Sequence, residues 1–258
     1  MRPTPLRFVA ILFAVLLPEA AWAQCVSLTT TGSATTQSFD TLSNTAGSTT
    51  NNLTLTGWFM TETGGGARDN EQYAVDTGAS NTGDTFSYGA AASTDRALGS
   101  LQSGTLIAKM GACFTNVTGT TITYLDIAYS GEQWRIGNTV AARDDRLDFE
   151  YSLTATDLVT GTWTATDALD FTNPIKTAGT ASALDGNSAA NRVAISGSIP
   201  SLAIANGATF WIRWNDLNAS GTDDGLAIDD FSLTPQTGSP GASLSINDVS
   251  QAEGNSGT

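Results

Sequence analysis

Strict alternation of apolar and polar residues is the feature that most constrains how this chain folds. It is clearest in TITYLDIAY (residues 121–129), DRLDFEYSL (145–153) and ATFWIRWND (208–216). A period of two places neighbouring side chains on opposite faces of a β-strand. In the first segment, one face of the strand carries Leu125, Ile127 and Tyr129. In the second, the inward face carries Leu147, Phe149, Tyr151 and Leu153. In the third, Phe210, Ile212 and Trp214 share one face. After the first 23 residues, no segment shows a 3.6-residue apolar stripe, so the chain is predicted to be all-β.

Residues 26–233 are uniformly rich in Thr, Ser, Gly, Asn and Ala, a composition that disfavours helices. Further strand candidates, LTLTGWF, TLIAKMGACF, NRVAISGSI and GLAIDDFSL, are separated by turns of Gly, Asn, Ser and Asp. Many short strands without helices predict two antiparallel sheets packed face to face, as a β-sandwich of the jelly-roll type. Residues 24–235 are predicted to form this single module, which is long enough to enclose a core.

Both ends of the chain differ in composition from this module. Residues 1–23 combine Arg2 and Arg7 with an apolar run and end in Ala-Trp-Ala, which predicts a cleaved signal peptide and a secreted or cell-surface protein. The apolar run is shorter than the roughly 20 residues of a membrane span, so no span is expected after cleavage. Residues 236–242 contain proline, glycine and serine and are predicted to be a linker.

Charge and composition exclude several functions. The net charge is −14 and the chain contains no histidine. A strongly acidic surface repels phosphate backbones, so nucleic-acid binding by this chain is not expected. Without histidine, a Ser-His-Asp triad and a His-ligated zinc or iron centre are both excluded.

The chain has two cysteines, Cys25 and Cys113. In an exported protein an even number of cysteines favours a disulfide, which here would join the start of the module to a strand far along the chain. Two free thiols are the alternative.

Aspartates are concentrated near the end of the module and suggest a cation site. Residues 216–221 read D-x-N-x-S-G, with side-chain oxygens at alternate positions and a glycine at the sixth, as a calcium loop requires. The twelfth position is Ala227 and no helices flank the loop, so an EF-hand is rejected. A β-sandwich calcium loop completed by a later aspartate is predicted instead. The candidate ligands are Asp40, Asp216, Asn218, Ser220, Asp223, Asp224, Asp229 and Asp230.

Alternation in GLAIDDFSL (residues 225–233) sharpens this prediction. It places Asp229 with Phe231, and Asp230 with Ile228, so one of the two aspartates faces the core. A buried carboxylate needs a cation, an arginine or backbone donors. Because first and last strands of jelly rolls are often neighbours, Asp40 is predicted to be a second ligand beside Asp229. The alternative is that these are solvated turn aspartates, with one paired to Arg213.

Two other site chemistries are considered. A glycosidase needs two carboxylates roughly 5–10 Å apart. Asp126, Glu132 and Glu150 could supply such a pair, but nothing distinguishes them from ordinary surface acids. A sugar-binding module needs exposed aromatic rings. Trp214 shares the face of Phe210 and Ile212 and is predicted to be a core residue, whereas Trp211 shares the opposite face with Arg213. Trp134 and Trp211 are therefore the candidate platform.

Two segments resemble known families. LSINDVSQAEGNSGT (residues 244–258) resembles the first strand of Calx-beta domains, so residues 243–258 are expected to begin such a domain. Segments such as STDRALGSL, YSGEQWRIG and WIRWNDLNASGTDDGLAIDDFSL resemble an N-terminal module of secreted bacterial multidomain proteins. In those proteins Calx-beta repeats or an endonuclease/exonuclease/phosphatase domain can follow. AIDDFSL resembles the closing strand of lectin-like and MAM-like jelly rolls, in which its Asp lies at a structural calcium site.

Taken together, these features predict a non-catalytic, calcium-supported extracellular module for adhesion, targeting or spacing in a larger protein, for which the resemblance implies a nuclease as one candidate. Its expected partners are an extracellular glycan or cell-surface component and the downstream domains of the same polypeptide. Any catalytic domain is expected beyond Thr258. The alternative is a carbohydrate-binding module of a secreted hydrolase.

Overall fold

A computed structural model describes residues 24–138, 141–177 and 179–241. The predicted signal peptide (residues 1–23) and the predicted Calx-beta strand (243–258) lie outside the described residues. Of the predicted linker, Gln236 is the last residue of the final strand rather than part of a connecting segment.

The described residues form fifteen strands and one short 3₁₀ helix, Asp167–Leu169. The strands are β1 (Val26–Leu28), β2 (Thr35–Gln37), β3 (Trp58–Thr63), β4 (Ala74–Asp76), β5 (Asp84–Tyr88), β6 (Ala97–Leu101), β7 (Ile107–Asn116), β8 (Tyr124–Ile136), β9 (Arg146–Ser152), β10 (Thr164–Ala165), β11 (Phe171–Thr172), β12 (Ser182–Ala183), β13 (Arg192–Ile199), β14 (Thr209–Asp216) and β15 (Gly225–Gln236).

These strands make two sheets that pack as a β-sandwich, which confirms the predicted fold class. The seven-stranded sheet has the order β1-β7-β14-β9-β10, and β3 and β11 pair with β7 and β9. The eight-stranded sheet has the order β12-β8-β15-β6-β5-β4, and β13 and β2 pair with β8 and β15. Pairing is antiparallel except between β1 and β7 and between β4 and β5. The early strand β2 lies beside the last strand β15, as expected for a jelly roll.

The core lies between the sheets and is centred on Trp214. Its ring stacks on that of Trp58 at 6.2 Å and meets the rings of Phe149 and Phe231 edge-on at 5.2 and 5.8 Å. The prediction that Trp214 is a core residue is therefore confirmed. The inward placement of Leu153 is wrong: its side chain is 45% exposed, because β9 ends one residue earlier.

The predicted disulfide between Cys25 and Cys113 is present. It fastens β1 to β7, where Val26 is in register with Phe114, so the first strand is held both by a covalent bond and by parallel pairing. Among the described residues, no helix has the length and apolar character needed to cross a membrane.

One irregularity in β15 changes which side chains face the core. The register against β8 shifts between Asp229 and Ser232, and Asp230 has a φ of +48°. An extra residue of this kind is a β-bulge. As a result, Ile228 and Phe231 both face the core although they are three positions apart. Strict alternation predicted that these two side chains lie on opposite faces, and across this bulge that prediction is wrong.

Candidate functional site

Trp134 does not form the predicted exposed platform. Its side chain is 2% exposed and stacks on Tyr88 at 6.0 Å, and its Nε1–H donates to Glu132 Oε2 at 2.9 Å. The segment that follows β12 crosses directly over the ring, and a Cβ on Gly186 would lie 2.3 Å from the Trp134 Nε1 atom. Glycine at that position allows the close contact that covers the ring. The sequence prediction for Trp134 is therefore wrong.

Trp211 is also largely buried, at 6% exposure, so it is not an open platform either. Unlike Trp134, however, it lines a cavity of about 340 Å³ on the outer face of the seven-stranded sheet. The apolar part of the cavity wall consists of Phe59, Met60, Leu158, Val159 and Trp211. Phe59 lies 4.8 Å from Trp211 between ring centroids, with the planes tilted by 43°.

The cavity depends on a glycine in the middle of a strand. Gly111 of β7 is in register with Phe59 of β3 and with Arg213 of β14. A Cβ on Gly111 would lie 2.8 Å from Leu158 Cδ2 and 2.2 Å from the carbonyl oxygen of Ile212. The missing side chain lets Leu158 reach the sheet beside Phe59. A glycine inside a strand often marks such a close approach. Gly111 is therefore the feature of the sequence that could have indicated this site.

The segment between β9 and β10 is held over the sheet by side-chain hydrogen bonds. Asp157 Oδ1 accepts the backbone N–H groups of Val159 and Thr160 at 2.8 and 2.6 Å. Arg213 donates from Nη1 to the carbonyl oxygen of Leu158 at 2.5 Å, and its guanidinium lies 3.9 Å from the ring centroid of Trp163. These contacts fix the wall opposite Phe59.

The polar part of the cavity wall consists of Thr61, Glu71, Thr156 and Asp157. Glu71 Oε1 accepts hydrogen bonds from the Thr61 hydroxyl at 3.2 Å and from the backbone N–H of Glu62 at 3.3 Å. The backbone N–H of Thr160, with that of Val159, lowers the pKa of Asp157 below its usual value. Among the described residues, no lysine or arginine lines this cavity.

The predicted calcium ligands divide into two separate places in the structure. Asp229 and Asp230 lie at the bulge of β15. Asp229 is 4% exposed and accepts the N–H of Asp230 at 2.7 Å, while Asp230 is exposed and lies 3.5 Å from Arg192. Burial raises the pKa of Asp229 to about 8, and the charge of nearby Glu132 adds to the increase. Asp229 is thus buried, but it is the neighbouring Ile228 that packs in the core between the sheets.

Glu132 is the buried neighbour of Asp229 on β8. It is 1% exposed, its Oε1 has no hydrogen-bond partner among the described residues, and burial raises its pKa to about 7. No hydrogen-bond donor is shared between Asp229 and Asp40. Instead, Asp40 Oδ1 accepts the backbone N–H of Arg96 at 3.3 Å.

The D-x-N-x-S-G segment is closed by protein donors. Asp223 Oδ1 accepts the N–H of Ala219 at 2.7 Å, and the side chains of Asn218 and Ser220 are exposed. Asp216, the first residue of the segment, is buried, and its Oδ2 accepts a hydrogen bond from the Ser100 hydroxyl at 2.7 Å. This loop therefore curls around a carboxylate.

Buried carboxyl groups with raised pKa values surround this loop. Burial raises the pKa of Asp216 well above its usual value, and nearby Asp145 adds to the increase. Burial also raises the pKa of Asp145 to about 7 and that of Asp223 to about 6. Sequence reasoning missed Asp145, which no local pattern connects to this loop.

Asp224 is the most completely hydrogen-bonded of the predicted ligands. Its Oδ2 accepts amide N–H groups of Gln133 at 2.7 Å and Asn173 at 2.8 Å. Its Oδ1 accepts the backbone N–H of Gly137 and the guanidinium of Arg143, both at 2.7 Å. Four donors from three segments thus meet on one carboxylate, which we call the Asp224 hub. The hub joins β8, the residues before β9 and the segment after β11.

Within the described ranges, no three Asp, Glu, Cys or His residues are arranged to hold a metal ion. The predicted ligands in the two places are engaged mainly by protein donors. The calcium site stays a prediction, and the observed hydrogen bonds give it no further support.

The three candidate catalytic acids do not form a pair. Asp126 and Glu132 lie six residues apart on β8, which corresponds to about 20 Å at the usual strand rise. Glu150 lies on the other sheet, where it accepts Arg213 Nε at 2.6 Å. Glu132 and Asp229 are neighbours, but both are buried beneath the surface. None of these pairs offers an open cleft between two carboxylates.

No protein-family model matches the chain. No curated protein sequence matches it either. The Calx-beta and nuclease-type resemblances therefore gain no support from these comparisons.

Several solved structures share the β-sandwich at low similarity. The CBM22-1 xylan-binding domain of Xyn10C from Paenibacillus barcinonensis is 9% identical with a TM-score of 0.36, over 82% of this chain and 100% of that domain. TmCBM61 in complex with β-1,4-galactotriose is 10% identical with a TM-score of 0.29, over 57% and 74%. The CBM22-1–GH10 modules of Clostridium thermocellum Xyn10B, complexed with xylohexaose, are 11% identical with a TM-score of 0.29, over 72% and 27%. Likeness this distant extends to the fold alone.

Proposed function

We propose that this chain is a non-catalytic module that binds glycans and so targets or attaches a larger extracellular protein. The observation that carries the proposal is the cavity on the seven-stranded sheet, where two aromatic rings, Phe59 and Trp211, lie beside threonines and carboxylates. A sugar ring has apolar C–H faces and a rim of hydroxyls. Aromatic rings accept the faces, and the polar side chains accept the hydroxyls.

The size and composition of the cavity fit this role. A volume of about 340 Å³ is at the lower end of the range for small-ligand sites, which matches one or two sugar units. In this proposal Trp211 contacts the sugar as one wall of the cavity, whereas the sequence predicted that it forms an exposed platform. The disulfide is consistent with an oxidising, extracellular environment.

A non-catalytic role is supported by the placement of the acidic residues. Hydrolysis of a glycosidic bond requires two carboxyl groups facing each other across the bound sugar. At the cavity, Asp157 has a lowered pKa and is therefore a poor proton donor. Of the acids with raised pKa values, Glu132 and Asp229 belong to the other sheet, and Asp145, Asp216 and Asp223 do not line the cavity.

The proposal is tested by affinity electrophoresis of residues 24–241 through gels that contain xylan, β-1,4-galactan, glucomannan or chitin fragments. The chain is expected to be retarded by at least one polymer. Phe59→Ala is expected to weaken that retardation about tenfold, because a lost aromatic contact is worth about 1–1.5 kcal/mol. Tyr124→Ala removes a half-buried aromatic residue from the eight-stranded sheet and is the matched control. Equal retardation of the Phe59 variant and the unmodified chain would count against the cavity.

A further inference from the structure

The glycan cavity carries two carboxylates at its polar wall, Glu71 and Asp157, and no cation balances them there. From this arrangement we infer that the cavity is selective for glycans without acidic groups, and that Glu71 and Asp157 are its specificity-determining residues. The inference rests on the proposed glycan-binding function and adds the class of ligand to it.

Each carboxylate has one oxygen engaged by the protein. Glu71 uses Oε1 to accept the Thr61 hydroxyl and the N–H of Glu62, and Asp157 uses Oδ1 to accept the N–H groups of Val159 and Thr160. The Thr160 side chain also stabilises the charged form of Asp157. Among the described residues, no donor makes a hydrogen bond of good geometry to Glu71 Oε2 or Asp157 Oδ2. These two oxygens are acceptors available to a ligand, and a sugar hydroxyl is a suitable donor.

Asp157 stays ionised over the ordinary pH range. Two backbone N–H groups stabilise its charged form and lower its pKa, so mild acid does not neutralise it. A carboxylate on the ligand would therefore meet a fixed negative charge. Glu71 and Asp157 are both exposed, so solvent weakens the repulsion, but two like charges only a few ångströms apart still repel each other.

The nearest basic residues on this sheet face do not cancel that charge. Arg213 is engaged by Glu150 Oε2, by the Leu158 carbonyl and by the ring of Trp163. Lys109 is in register with Thr61, but it does not line the cavity. The cavity therefore offers acceptors and negative charge to its ligand. The overall charge of −14 acts in the same direction at longer range.

The test uses an array of neutral oligosaccharides, each printed beside the counterpart in which one hexose is replaced by its hexuronic acid. The unmodified chain is expected to bind neutral members at least tenfold more tightly than their acidic counterparts. The double variant Glu71→Gln and Asp157→Asn is expected to reduce that ratio to about threefold or less. Both substitutions keep an acceptor oxygen for the existing backbone N–H groups, and an unchanged thermal midpoint shows that the fold is retained. Asp144→Asn, an exposed charge away from the cavity, is the control.

The outcomes separate the two proposals. If the unmodified chain binds no member of the array, the proposed glycan-binding function fails and this inference fails with it. If it binds neutral and acidic members equally, or if the double variant discriminates as strongly as the unmodified chain, glycan binding stands and only the assigned selectivity is overturned.

Discussion

Removal of the Asp224 carboxylate is expected to destabilise the sandwich by about 4 kcal/mol. The buried backbone N–H of Gly137 loses its acceptor, which costs about 1–3 kcal/mol. Arg143, whose side chain is nine-tenths buried, loses its 2.7 Å ion-pair partner, and breaking a buried pair costs about 3–5 kcal/mol. Five contacts moderate the loss. Arg143 keeps the carbonyl oxygens of Ser220 and Thr222 and lies 3.8 Å from the Asp145 carboxylate. The amides of Gln133 and Asn173 keep the carbonyl oxygen of Ile175. The total loss of stability is therefore expected near the lower end of the range given by adding these two costs.

The assay is equilibrium unfolding in urea, followed by tryptophan fluorescence, for the unmodified chain, Asp224→Ala and Asp224→Asn. The asparagine variant keeps the shape and one acceptor, so its loss is expected to be about half that of the alanine variant. Asp144→Asn, an exposed ion-pair partner, is expected to change stability by less than about 0.5 kcal/mol. A loss below about 1 kcal/mol for Asp224→Ala would refute the reasoning, because the four donors would then be satisfied without the carboxylate.

Two further predictions concern the disulfide and the pH dependence of stability. Replacing Cys25 and Cys113 together by serine opens a loop of 88 residues, and the loop-entropy model predicts a loss of about 4–5 kcal/mol, measured by urea unfolding with and without reductant. A reductant-insensitive midpoint in the unmodified chain would contradict it. The raised pKa values of Glu132, about 7, and Asp229, about 8, mean that the folded chain binds protons that the unfolded chain releases. Stability is therefore expected to fall as pH rises from about 4 to 8, and the urea midpoint should be higher at pH 5.5 than at pH 8. Asp229→Asn should flatten this slope, and a midpoint that rises with pH would show the sign to be wrong.

The sequence was sufficient where structure depends on local periodicity. In β14, alternation alone placed Phe210, Ile212 and Trp214 on the core side, with Trp211 and Arg213 on the other, and the structure agrees. Period two is a property of the strand itself, so no information from elsewhere in the chain was needed.

The same reasoning failed where an extra residue enters a strand. The bulge at Asp230 requires a positive φ. Aspartate can adopt this conformation, so no glycine marks the position of the bulge in the sequence. Alternation was therefore carried through the bulge, and Ile228 and Phe231 were assigned to opposite faces.

The candidate site depended on contacts between distant segments. Trp134 is covered by the segment containing Gly186, and the Trp211 cavity exists because Leu158 packs against Gly111. Neither contact follows from local pattern. The acidic pairs likewise suggested an ion, because the sequence does not show that Arg143 and backbone N–H groups converge on Asp224.

The most direct test of the account is hydrogen–deuterium exchange of the chain with and without the glycan that retards it most in the electrophoresis screen. The account predicts increased protection in β3 around Phe59, at residues 156–159 and in β14 around Trp211, with the eight-stranded sheet unchanged. Protection confined to the outer face of the eight-stranded sheet would show that the glycan binds elsewhere and would contradict the assignment of the cavity.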